Sequence, residues 1–342
     1  MRMPKKILTA TALGLIALAG VSRANAAEPF RCEPGELYAM NVMVSGVEYW
    51  FPVYEMFKQA GEQMGCDTIY TGTPDYDVTK QIASFDQILT RQPKGILVHP
   101  MNADPFIEPI NRAIGQGTAI VTFAADSVNS NRTAHITSNN DLEGKGAADA
   151  VAEAMGGKGE YAVLENPGQS NHDLRVTAFI AYMEENFPEM KLVGRQASNQ
   201  DSNKAYQALL SMAQANPNLG AVFMPEANSA LGAAQASVEL GGKIKVMTAD
   251  VNAKILDMIK AGEVFGSINP NQGMQGYMGF IALFLAAHPE LIDPMNDAKR
   301  AGKNPMTIPY IDNGYAVVTK DNADDFYWEA YLKRRGTKGI EE

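Results

Sequence analysis

Histidine and cysteine are scarce in this chain, with four and two in 342 residues. His99, His135, His172 and His288 are scattered and have no ligand spacing with cysteines or carboxylates, so no metal site is expected. Positive charge is in deficit: 29 Lys and Arg against 39 Asp and Glu leave a formal net charge of -10. An acidic chain with scattered charges repels a phosphate backbone, which argues against nucleic acid as a partner. Beyond the amino end no run approaches the ~20 apolar residues of a membrane helix, so no membrane insertion is expected. A phosphate loop is missing too, because Gly156-Gly157-Lys158-Gly159 lacks the closing Lys-Ser/Thr and reads as a turn. No cofactor is expected.

The early apolar run, Ile7 to Val21, follows Arg2, Lys5 and Lys6 and precedes the small-x-small stretch Ala24-Asn25-Ala26. That pattern describes a secretory signal peptide over residues 1–26, cut ahead of Ala27. No cysteine follows the run directly, so a lipid anchor is not expected, and the mature chain is read as a free periplasmic protein. Losing the four cations of this segment takes the formal charge from -10 to -14 and leaves 316 residues. That length exceeds the ~250 to 300 at which single cores tend to split, so two domains are expected.

The stretch from Val42 to Gly65 organises the rest. An apolar run, Leu37 to Val44, breaks at Ser45-Gly46 and gives way to helical spacing, with Trp50, Val53, Tyr54 and Phe57 on one face. Tyr49 and Trp50 fall at this strand-to-helix junction, where open α/β sheets bind ligands beyond the carboxyl ends of their strands. Two adjacent aromatics there could flank a small ring, or could simply pack the helix onto the sheet. Strand and helix patterns then alternate along nearly the whole chain. A first set runs through the strands Asp67–Thr71, Gly95–His99, Ala119–Phe123 and His135–Ser138. A second runs from Glu160–Glu165 to Phe265–Asn269, and Tyr310–Val318 reads as a closing strand. Repeated βαβ units imply two mostly parallel sheets, each covered on both faces. Cys32 precedes the first strand and Cys66 the second, so parallel pairing would bring them together; a disulfide is expected, though spacing alone leaves two free thiols open.

Several stretches, taken in order, carry a resemblance: Tyr49-Trp50, Lys80-Gln81-Ile82-Ala83, Gly95 to Pro100, His135 to Asn140, Ala230-Leu231-Gly232-Ala233, Ala249-Asp250 and Val317 to Lys320. Over essentially all of residues 36–328 the chain resembles the periplasmic sugar-binding proteins of the ribose and galactose type, the receptors of sugar ABC importers. The resemblance implies two Rossmann-like doubly wound lobes joined by three crossover strands, with the ligand between them. The first lobe would be residues 27–138 plus 271–310 and the second 139–270 plus 311–342, with crossings near Ser138, Pro270 and Asp312. It also implies a monomer that is not an enzyme, a sugar or polyol ligand, and a permease with its ATPase as partners.

A sugar has apolar C–H faces and a rim of hydroxyls, so its receptor needs aromatic faces with carboxylates, guanidinium and amides. By the resemblance, Tyr49 and Trp50 stand for the stacking pair, Asp250 for the aspartate that takes two hydroxyls, and Arg175 for the arginine on the second lobe's first helix. Glu226 takes the place of an asparagine and Gln200 that of an aromatic. Asn139, at the first crossing, completes the expected set together with the departures below. Each has a plainer reading: Arg175 could pair with Glu165 or Asp173, Asp250 could cap the following helix, and Gln200 could be an ordinary loop residue.

Departures bear on which ligand is bound. Ala124-Ala125 stand where ribose and galactose binders have an Asp-Arg pair, which makes D-ribose an unexpected ligand; Asp126 could substitute, as in the autoinducer-2 binding branch. Pro270 stands where a glutamine or asparagine is usual, leaving Asn269 or Asn271 to supply that amide. Glu226 with Asp250 also makes a cationic amino sugar or an autoinducer-2-like furanose an alternative ligand. Repressors share this fold but carry a basic helix-turn-helix where this chain has an export signal. A secreted glycosidase using Glu226 and Asp250 as paired carboxylates is the remote alternative.

Overall fold

The computed structural model describes residues 30–306 and 308–335; the expected signal peptide lies outside them. Strands β1 (Leu37–Val42), β2 (Asp67–Gly72), β3 (Gly95–Val98), β4 (Ala119–Phe123) and β5 (Ala134–Thr137) alternate with helices α1 (Trp50–Met64), α2 (Val78–Leu89) and α3 (Ile107–Gly115). The second set holds β6 (Gly159–Glu165), β7 (Met190–Ala197), β8 (Leu219–Phe223), β9 (Lys245–Ala249) and β10 (Gly266–Asn269). Its helices are α4 (Asn140–Met155), α5 (Ser170–Asn186), α6 (Ser202–Ala215), α7 (Ala227–Glu239) and α8 (Ala253–Ala261). There follow α9 (Gln272–Ala287), α10 (Asp297–Arg300), β11 (Ile308–Asp312), β12 (Ala316–Thr319) and α11 (Trp328–Arg335).

Among the described residues two six-stranded sheets result, in the orders β11-β5-β4-β3-β1-β2 and β12-β10-β9-β8-β6-β7. All pairings are parallel except that of β10 with β12. The central strands β1 and β3 are buried at every position, which is why they read as unbroken apolar runs rather than alternating ones. The chain crosses between lobes after β5, after β10 and between β11 and β12. The closing strand expected over Tyr310–Val318 is therefore two strands in different sheets, parted at Asn313-Gly314-Tyr315, with Gly314 at φ 71°. A continuous strand cannot take that left-handed step.

Helix α9 returns to the first lobe. Its Phe280 and Leu283 share a core with Tyr38, Phe57 and Leu97, and it approaches α1 so closely that a Cβ on Gly276 would lie 1.8 Å from the Val53 carbonyl oxygen. Cys32 and Cys66 form a disulfide with Cα atoms 5.2 Å apart, where β1 and β2 begin side by side with Leu37 opposite Asp67. Thiol labelling of the denatured protein should find no reactive cysteine before reduction and two after; labelling of both before reduction would contradict the bond. No helix among the described residues is long and apolar enough to cross a membrane.

Candidate functional site

Between the lobes lies a cavity of about 420 Å³, walled by the turns that follow the carboxyl ends of strands in both sheets. The backbone there is unusual. Val44, Ala124, Asn199, Gln200 and Asp250 all have φ between 40° and 70°, and all five line the cavity. Non-glycine residues in this region cost of order 1 to 3 kcal/mol each and persist where surrounding bonds hold them. At Asp250 those bonds are visible: its N–H donates to the Ile268 carbonyl at 2.7 Å, and its own carbonyl accepts from Ser267 Oγ at 2.6 Å. The turn after β9 is thereby forced to present the Asp250 side chain to the cleft.

Arg175 lines the cavity from α5 with its fork already engaged. Nε donates to Glu143 Oε2 at 2.8 Å, Nη2 lies 2.6 Å from the same oxygen and 3.3 Å from Asn140 Oδ1, and Nη1 donates to the Pro225 carbonyl. Its partner is thus neither Glu165, which pairs with Arg195, nor Asp173, which accepts from the Gly168 N–H. Glu226 caps α7, accepting from the Asn228 N–H at 2.6 Å and the Ser229 N–H at 3.1 Å. The cap of α8 is Asn252, which frees Asp250 from that role. Burial pushes the Asp250 carboxyl up to about 7; Arg175 opposes the shift, and Glu226 and Glu143 add to it. Burial likewise raises the Glu226 carboxyl, against the pull of the helix N–H groups it caps.

The aromatic pair is placed differently from a sandwich. Tyr49 and Trp50 meet edge to face, with centroids 4.9 Å apart and planes at 78°, so they do not flank one ring between them. Trp50 is 3% exposed and anchored through Nε1 to the Met43 carbonyl at 2.9 Å, packing edge-on against His99 and Phe123. Tyr49 donates its hydroxyl to Gln275 Oε1 at 2.9 Å. Both rings line the cavity, and both also serve the core. Gln200 lines it as well, with its N–H on Asn166 Oδ1 at 2.6 Å and Nε2 on Gln169 Oε1 at 3.2 Å.

Three expected residues stand outside the cavity wall. Asp126 is turned away by Arg132, whose Nη2 lies 2.6 Å from it, and it also accepts from Thr122 Oγ1 at 2.7 Å and the Ser127 N–H at 2.8 Å. Burial opposes its ionisation, yet Arg132 holds its carboxyl below the usual range. Asn139 is spent as the cap of α4, accepting from the N–H groups of Asp141 and Leu142 at 3.1 Å. Asn271, at φ 51°, lines a second groove that shares Val251, Asn252 and Gln272 with the cleft, and it donates to the Asn313 carbonyl at 2.8 Å.

What replaces them is polar surface that sequence reasoning missed. His99, Gln272 and Gln275 line the first-lobe side, and Asn166, Asn171 and His172 the second. His99 Nδ1, Gln275 Nε2 and Asn171 Oδ1 are buried without a hydrogen-bond partner among the described residues. An unpaired buried donor or acceptor costs ~1 to 3 kcal/mol, a cost that a hydrogen-bonding ligand removes. Burial lowers His99 to about 3 and, with help from Arg175, takes His172 well below its ordinary value, so both imidazoles are neutral. The usable signals were the spacing of three between His172 and Arg175 on α5 and between Gln272 and Gln275 in the first turn of α9. Elsewhere Cys32, Glu36 and His288 come together, but the Cys32 sulfur is committed to the disulfide and cannot ligate a metal.

The family model for the periplasmic binding protein domain matches residues 38–288. The chain belongs to that family. Members of the periplasmic binding protein family are binding proteins and not enzymes, which sets aside the glycosidase alternative. This member is 23% identical over 282 residues to the D-allose-binding periplasmic protein of Escherichia coli, covering 78% of this chain and 85% of the other. It is 29% identical over 211 residues to the D-apiose import binding protein of Actinobacillus succinogenes, covering 60% of this chain and 66% of that one, just under two thirds of its length. Among solved structures it is similar to an arabinose binding protein from Geobacillus stearothermophilus, with a TM-score of 0.78, 29% identity, and 86% and 100% of the two chains covered. A sugar-binding protein of a Bacillus halodurans ABC transporter gives 0.80 and 27%, over 85% and 100%.

Proposed function

We propose that this periplasmic binding protein captures a monosaccharide or sugar alcohol between its lobes and delivers it to the permease and ATPase of an ABC importer. It would act as a monomer in the periplasm after its signal peptide is cleaved. The observation that carries this reading is Asp250, a carboxyl presented to the cleft by a strained turn between Arg175 and Glu226 and acceptor-only when ionised. A carboxylate so placed suits two hydroxyl donors of one sugar. Relatives named for apiose, allose and arabinose binding support the ligand class.

On the first-lobe side, Ala124 lines the cleft without a polar group, and the hydroxyl contacts fall to His99, Gln275 and Tyr49. That wall differs from an Asp-Arg clamp and disfavours ribose. The amino sugar reading rests on two cleft carboxylates facing one arginine that Glu143 shares. Against it, both Glu226 oxygens already accept from backbone N–H groups at the start of α7, which meets much of that charge within the protein.

A melting screen of the mature protein with D-apiose, D-allose, D-arabinose, xylitol and D-glucosamine tests both readings. A ligand at ~100 times its dissociation constant adds ~2.7 kcal/mol to the folded state's stability. A shift with a neutral sugar or polyol supports the main reading. A shift with D-glucosamine alone reassigns the ligand class, and no shift with any carbohydrate rejects it.

A further inference from the structure

Glu143 does not line the cleft, yet it meets the cleft through two neighbours. Its side chain is wholly buried in the first turn of α4. One oxygen accepts from Ser138 Oγ, and the other takes Arg175 through Nε at 2.8 Å and Nη2 at 2.6 Å. Ser138 belongs to the first crossing between lobes and itself lines the cavity. The next residue, Gly144, makes the contact possible, because a Cβ there would lie 2.3 Å from the Arg175 carbonyl oxygen and 2.8 Å from the Phe179 nitrogen. Helices α4 and α5 therefore touch backbone to backbone beside the ion pair.

We propose that Glu143 is a positioning residue for the cleft: it holds the Arg175 guanidinium in place, draws its charge away from Asp250, and through Ser138 ties this arrangement to the first crossing. The inference rests on the reading of Arg175 and Asp250 as sugar contacts. Most of the Arg175 N–H groups are taken by Glu143, Asn140 and Pro225, so its effect on Asp250 is chiefly that of a fixed cation. The charged or titratable groups around Asp250 are Arg175 on α5, Glu226 ahead of α7, Glu143 on α4 and Tyr49 ahead of α1, with His99 and His172 neutral. Arg175 favours the ionised Asp250, whereas Glu143 and Glu226 favour the protonated form. Without the Glu143 charge, Asp250 ionises more readily and the pH dependence of binding changes, which a purely steric role would not produce.

The test is calorimetric, with the panel sugar that gives the largest melting shift. Asp250→Ala is measured first; if it binds like the parent, the cleft reading fails before Glu143 is tested. In the parent, affinity should fall about tenfold from pH 8 to pH 6, as a carboxyl titrating near 7 takes up its proton. In Glu143→Gln the fall should be less than about threefold, because a like charge has been removed. An unchanged tenfold ratio in Glu143→Gln, even at lower affinity, overturns the proposal, as does a pH-independent parent. Should Glu143→Gln not fold, Glu143→Asp keeps the charge but withdraws the carboxylate by one methylene. Affinity at pH 8 should then drop at least about fivefold, since charge-assisted bonds depend on placement; parent-like affinity overturns the positioning role.

Discussion

Arg175→Ala is expected to lower the free energy of unfolding by about 3 to 5 kcal/mol, the scale for breaking a buried ion pair by removing one partner. The Glu143 side chain is 0% exposed and that of Arg175 3%, so removing the guanidinium leaves a carboxylate buried without its counter-charge, reachable by water only through the space vacated beside the cleft. The Pro225 carbonyl and Asn140 Oδ1 would lose a donor as well. Gly144 keeps α4 and α5 in backbone contact, so the helices cannot part to admit water without losing the packing of Ala147, Ala148 and Val151. Arg175→Lys should be intermediate, because an ammonium keeps the charge but cannot reproduce the Nε and Nη2 contacts together with that to Pro225. Urea unfolding of the unligated proteins measures all three; a loss below about 1 kcal/mol for the alanine variant would show that Glu143 finds another partner.

How far the sequence announces such a site depends on where each residue's partners lie. Asp250 follows a buried apolar strand directly and Glu226 stands three residues beyond another, and the rule that open sheets bind at strand ends points to both. Arg175 was legible as a cleft residue, but its partner was not. Glu143 stands in Asn-Asp-Leu-Glu-Gly-Lys, which reads as the exposed first turn of a helix, and only the approach of α4 to α5 at Gly144 shows it buried. Asp126 misled for the opposite reason. It also follows a strand, but Arg132, six residues on, folds back and claims it. Asn139 was lost to a local cap, an event that side chains of this type enter readily at helix starts. The alternation of strands and helices was legible because the inner strands, such as β1, β3, β4, β8 and β9, are short, mostly apolar runs between turn residues. The division of β11 from β12 was not, because Asn313-Gly314 interrupts a run that otherwise has the strand period.

Asp250→Ala should weaken sugar binding by about 2 to 4 kcal/mol, toward the upper end if closure leaves the ligand's hydroxyls buried without acceptors. Asp250→Asn is the finer probe, because it keeps the shape and turns one acceptor into a donor; a loss of about 1.5 to 3 kcal/mol is expected for a neutral ligand. The two variants should also respond to pH differently from the parent. The folded-state value near 7 lies above that of a free carboxyl, so Asp250 favours the unligated fold most below pH ~4 and withdraws that stability as pH rises toward 7. The unligated parent should therefore lose part of its melting temperature between pH 5 and pH 8 that Asp250→Asn retains, while sugar restores it only in the parent. Glu226→Gln separates the ligand classes: a neutral polyol should tolerate it better than an amino sugar, whose ammonium needs the charge. If Asp250→Asn folds normally and binds the selected sugar as tightly as the parent, the hydroxyls are held elsewhere in the cleft, and His99, Gln275 and Asn171, with their unpaired buried atoms, become the residues to replace next.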